Sequence, residues 1–174
     1  MLVHDGNASM RPDPVPPRPG QESVWDYPRP PRAELVRRQC EVIFAGRTIA
    51  ITLSPVRVLE TSHPPVYYFP PDSVIPGALS PIDRTSYCEW KGVASYFDVV
   101  GPEGQTAPAA AWTYPDPKPG FELLQDHVAF YPAAMEVCLV DGEYVRAQPG
   151  GFYGGWITSA VVGPFKGVPG SEGW

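Results

Sequence analysis

Residues 85–114, TSYCEWKGVASYFDVVGPEGQTAPAAAWTY, decide how this chain folds. Two segments rich in β-branched and aromatic residues, with Trp90 and Tyr96 in the first and Trp112 and Tyr114 in the second, flank a Gly-containing loop at 101–104. Such side chains are crowded on a helix and at ease on a pleated strand, and glycine permits the reversal between them. The stretch therefore reads as strand, turn, strand. It contains no metal-ligand spacing, phosphate loop or nucleophile elbow. What it offers is a set of aromatic side chains that can wall a hollow.

The same alternation extends on both sides. Cys40-Glu41-Val42-Ile43-Phe44 and Thr48-Ile49-Ala50-Ile51-Thr52 flank Ala45-Gly46-Arg47 and read as a hairpin turning at the glycine. Residues 56–60 and 66–69 are two more strands, and Pro70-Pro71-Asp72-Ser73 starts a short helical turn. Downstream, 119–125 reads as another helical turn, 128–131 and 136–140 as strands, and Asp141-Gly142 as a reversal before Tyr144. One further helical turn is expected over 33–39, and a strand over 85–91. Strands separated by turn signals at this spacing predict a mainly β fold, its small antiparallel sheets packed as a β-tent, sandwich or open barrel with few short helices.

Composition bounds the organisation. A chain of 174 residues with five Trp and nine Tyr can bury one core, while 24 Pro and 17 Gly must sit in arms and turns. Residues 1–35 read as a Pro-rich N-terminal arm in which Trp25 and Tyr27 call for burial, although a polyproline ligand for another protein has the same composition. Residues 36–146 read as the β core. Residues 147–174, with aromatics between glycine pairs, read as a tail packed on that core or on a second subunit of a homodimer. The net charge of −6 and the absence of any basic run beyond Arg37-Arg38 argue against a nucleic-acid partner. Cys40, Cys88 and Cys138 are odd in number and widely spaced, which suits neither a disulfide framework nor a metal site, so no metal or cofactor is expected. No apolar run reaches the ~20 residues that span a bilayer. The expectation is a cytoplasmic protein with no membrane partner.

Tyr68-Phe69-Pro70-Pro71-Asp72-Ser73-Val74, Trp90-Lys91-Gly92, Ala94-Ser95-Tyr96, Ala110-Ala111-Trp112 with Tyr114-Pro115, and Val128-Ala129-Phe130-Tyr131 carry a resemblance. In this order and at similar spacing, over about residues 40–140, they resemble the core of the family called domain of unknown function 427. Glu89, where the family often has Pro, and the longer segment 61–66 depart from the pattern. The resemblance implies a compact β domain of unsettled activity, similar in layout to tent-shaped domains of which some hold small ligands in aromatic cages. The family is also labelled a nucleotidyltransferase. That chemistry needs paired carboxylates holding magnesium beside a phosphate loop, and the sequence has no Asp-x-Asp for it.

Three groups of residues are candidates for a site. Trp90, Tyr96, Trp112 and Tyr114, with Tyr68, can wall a hollow for a ring or a cation, or can simply be core. Lys91, beside them, could neutralise a carboxylate or phosphate, or could be a solvated strand residue. Glu60 and His63, at a strand end stiffened by Pro64-Pro65, could work with Cys88 as a thiolate–imidazole pair, or could be an ordinary surface turn. The leading expectation is a domain that binds a small molecule in an aromatic pocket. The alternatives are an enzyme using His63 or Cys88 with Glu60, and a structural or dimerisation module without a ligand.

Overall fold

The computed structural model describes residues 11–174, so the first ten residues of the Pro-rich arm, His4 among them, lie outside the described residues. In chain order the strands are β1 (Glu22–Ser23), β2 (Arg32–Leu35), β3 (Cys40–Phe44), β4 (Arg47–Thr52), β5 (Val56–Leu59), β6 (Val66–Phe69), β7 (Leu79–Cys88) and β8 (Gly92–Val100). They continue with β9 (Thr106–Thr113), β10 (Val128–Phe130), β11 (Val137–Val140), β12 (Glu143–Tyr144), β13 (Arg146–Ala147), β14 (Trp156–Ile157) and β15 (Val161–Val162). Among the described residues the only helices are four 3-10 turns, including Pro71–Ser73 and Glu122–Leu124 where the sequence places them.

The fold is mainly β. A seven-stranded antiparallel sheet has the order β2-β5-β6-β10-β9-β8-β7, and a four-stranded one has the order β12-β11-β3-β4. Both remain open at their edges, so no barrel closes. Two further pairs, β13 with β14 and β1 with β15, tie down the tail, the second of them parallel. The hairpins turn as their sequences dictate. Ala45 and Gly46 have φ of 51° and 74°, and Asp141 and Gly142 have φ of 49° and 80°. Two consecutive positive φ values give the turn whose twist matches that of the flanking strands.

Alternation sorts side chains onto the two faces of the large sheet. Tyr67, Phe69, Val99 and Phe130 point to one side and join Val42, Ile49, Cys138 and Trp156 in the main core. Val56, Tyr68, Ala129, Trp112 and Tyr96 are register neighbours and form a row across the opposite side. A third cluster, Val24, Trp25, Tyr27, Leu59 and Val161 with Phe165 and Trp174 against it, joins the N-terminal strap to the tail.

Three local expectations are corrected. Residues 33–39 contain no helical turn. The segment begins as β2, antiparallel to β5, because Pro30-Pro31 deliver an extended chain and Ala33 packs beside Val58 on the same face. The strand expected at 85–91 instead runs over Leu79–Cys88, and its Pro81 is tolerated because β7 is an edge strand. Trp90 consequently lies in the turn between β7 and β8, not on a strand beside Cys88. The cysteines are three free thiols, with Cys40 and Cys138 buried. No described helix is long and apolar enough to cross a membrane.

Candidate functional site

The second face of the large sheet is where the candidate residues meet. A cleft of about 680 Å³ opens there. Its floor is Tyr68 from β6, Tyr96 from β8, Trp112 from β9 and Tyr114 just beyond β9. The β7–β8 turn contributes Trp90 and Lys91, and the end of β7 contributes Cys88. Glu60 and His63, following β5, close one side. All nine residues singled out in the sequence thus line one concavity.

The floor is held by ring contacts and hydrogen bonds. Tyr68 and Trp112 meet edge to face at 6.2 Å, and the Trp112 indole Nε1 donates to the Tyr68 hydroxyl at 3.3 Å. Tyr131 lies against Trp112 with centroids 4.5 Å apart. Ser86 Oγ and Tyr96 Oη are 2.8 Å apart. Burial pushes the phenols of Tyr68 and Tyr114 well above the usual tyrosine range, and that of Tyr131 up to about 12. These hydroxyls are therefore neutral donors at physiological pH.

Cations sit on the rings. Lys91 Nζ is 5.8 Å from the Tyr114 centroid, and the Arg84 guanidinium is 4.8 Å from that of Tyr96. Burial of Lys91 favours loss of its proton. Nearby groups, the Glu60 carboxylate among them, outweigh that effect and hold its pKa above the usual lysine value. Among the described residues no carboxylate lies within ion-pair distance of Lys91 or Arg84.

His63 is fixed from both sides. The Gln148 side-chain amide Nε2 donates to Nδ1 at 3.0 Å, and Nε2 of the ring lies 3.5 Å from a Glu60 oxygen. The amide contact assigns the ring proton to Nε2. Burial, opposed by Glu60 and assisted by Lys166 and Arg29, pulls the His63 pKa down to about 4, so the ring is neutral at physiological pH. Glu60 is also within 3.4 Å of Arg29. Nδ1 is occupied by Gln148 and Nε2 lies beside Glu60, and among the described residues no hydrogen bond joins the ring to Cys88. The sulfur neighbours Lys91 instead.

The sequence reading missed one wall. Gln148, Phe152, Tyr153, Gly154 and Lys166 of the tail line the cleft, with Arg84 and Tyr131 from the sheet. Gly154 lies so close to Trp112 that a Cβ there would stand 2.3 Å from the ring carbon Cη2. Gly155 is equally confined, by Gln148 and Pro64. The glycine pairs flanking aromatics were the available signal for a close approach, but not for what is approached. Among the described residues, no three His, Cys, Asp or Glu side chains are grouped to hold a metal ion.

A family model described as "Domain of unknown function (DUF427)" matches residues 32–141. No curated protein matches the chain.

Proposed function

The chain belongs to the domain of unknown function 427 family, and since that description assigns no activity we propose a function from the cleft itself: it binds a small organic molecule between its aromatic walls. The observation that carries this reading is the convergence of Tyr68, Tyr96, Trp112, Tyr114 and Lys91, from separate elements, on one cleft of about 680 Å³. That volume lies in the range of small-molecule sites, roughly 300–1,000 Å³. Apolar ring faces supply contact area, and a few polar groups supply orientation. Binding is favoured over catalysis by Cys88 because His63 already accepts from Gln148 and faces Glu60.

A thermal-shift screen of nucleosides, amines and organic acids tests the reading. A ligand at about 100 times its Kd should add about 2.7 kcal/mol of stability. The gain should disappear in Trp90→Ala, which removes a partly buried rim residue, and persist in Cys88→Ser. No stabilisation by any compound would overturn the reading. A gain lost in Cys88→Ser would return the thiol to the centre of the site.

A further inference from the structure

The aromatic cleft could hold either a cation or an anion, and its own charges choose between them. Four of its rings already carry a protein cation: Lys91 on Tyr114, Arg84 on Tyr96, Lys118 on Tyr87, and Lys166 at 5.8 Å from the Tyr153 centroid. The carboxylates lining the cleft are Glu60 and Glu89, and Glu60 is bridged by Arg29 at 3.4 Å. A cationic guest would therefore meet like charge at Tyr114, Tyr96 and Tyr153. Lys91, by contrast, has no carboxylate within ion-pair distance among the described residues, and it stays charged despite its burial.

The number and kind of donors narrow the anion. The Tyr68 hydroxyl accepts from Trp112, so its own proton remains to be donated, and Tyr68 lines the same cleft as Lys91. One ammonium and one phenol suit the two oxygens of a carboxylate. A nucleoside polyphosphate carries several charges and calls for a phosphate loop or a metal-binding carboxylate set; the sequence contains no such loop, and the described residues contain no such set. Beside the charged corner, the tilted Trp112–Tyr131 pair, 4.5 Å between centroids, offers flat apolar area. We infer that the cleft takes an aromatic or conjugated monocarboxylate, its carboxylate on Lys91 and Tyr68 and its ring against Trp112 and Tyr131. This assignment rests on the binding function proposed above.

Calorimetric titrations and two-dimensional NMR of the full chain with benzoate and cinnamate, against benzamide, benzylammonium and inorganic phosphate, test it. The carboxylates should bind at least about tenfold tighter than the amide and the ammonium compound, with shifts at the Trp112 indole. Lys91→Met should remove that preference. The carboxylate–amide comparison on the unaltered protein needs no variant and stands if Lys91→Met fails to fold. Equal binding of the amide or the ammonium compound would overturn the anion assignment and leave the binding function intact. Phosphate binding as tightly as benzoate would reduce the site to general anion attraction and overturn it. No response to any organic probe at millimolar concentration would overturn the monocarboxylate assignment and leave the binding function to the wider screen.

Discussion

His63 shows at the residue scale how one side chain links packing to pH. Its folded pKa of about 4 lies below the 6.5 of a solvated imidazole, so between those values the unfolded chain binds more protons than the folded one. Stability must then fall as pH drops from about 6.5 towards 4, by about 3 kcal/mol in all at 1.36 kcal/mol per unit. Above pH 6.5 the residue contributes no pH dependence. His63→Gln cannot charge, so in denaturant unfolding at pH 7 and pH 4.5 the variant should gain on the parent as the pH is lowered. Equal pH profiles would show that the ring does not resist protonation. Gly154 makes a second prediction at this scale. A methyl group there would stand 2.3 Å from the Trp112 ring, too close for any rotamer to relieve, so Gly154→Ala should cost about 1–3 kcal/mol. It should also change the fluorescence of the indole. An unchanged spectrum and Tm would mean that the tail does not touch Trp112.

At the scale of elements, one buried arginine links two strands of the N-terminal strap to the large sheet. Arg57 on β5 forks onto Glu22 with contacts of 2.8 and 3.1 Å and donates Nε to Glu34 at 2.7 Å, so β1 and β2 are tied through one side chain. Burial works against the charge, yet the two carboxylates keep the Arg57 pKa above its usual value. Arg57→Ala should destabilise the protein by about 2 kcal/mol, below the 3–5 kcal/mol of fully buried pairs because both glutamates regain water. Arg57→Lys should recover only part of this, since an ammonium cannot fork. A neutral alanine variant in chemical unfolding would show that strand pairing and the Trp25–Tyr27 cluster hold the strap without the arginine. Much of this scale was legible beforehand. The hairpins at Gly46 and Asp141-Gly142 follow from turn chemistry, and the β9 aromatics follow from alternation. The arginine clamp was not, because Glu22 is 35 positions from Arg57 and nothing local marks the pair. Trp90 was misplaced for a related reason. A β-favouring run shows that a strand exists, while pairing with β8 decides where it stops.

For the whole molecule, the residues matched by the family and the residues needed for a closed core are different sets. The match ends at residue 141, yet Trp156 beyond it is 1% exposed, packs 5.3 Å from Tyr67 and 6.0 Å from Phe69, and donates its indole N–H to the Phe130 carbonyl. The tail also returns β15 to pair with β1 and seats Trp174 against Trp25 at 5.5 Å. In the sequence the tail announces that it bends and packs, through Gly150-Gly151 and Gly154-Gly155, but its partner surface comes from Trp112 and Pro64, far upstream. Removing Trp156 alone should cost about 3–5 kcal/mol, a large share of the 5–15 kcal/mol that stabilises an ordinary domain. Deleting residues 148–174 removes that side chain, the Gln148 partner of His63 and one wall of the cleft together. The truncated chain should lose its cooperative thermal transition and bind an apolar dye, while Trp156→Phe, which keeps a ring in place, should unfold cooperatively at a lower Tm. A truncated chain that melts sharply near the parent Tm would mean that 11–147 closes its own core, and the tail would then be an ornament of the cleft and not part of the fold.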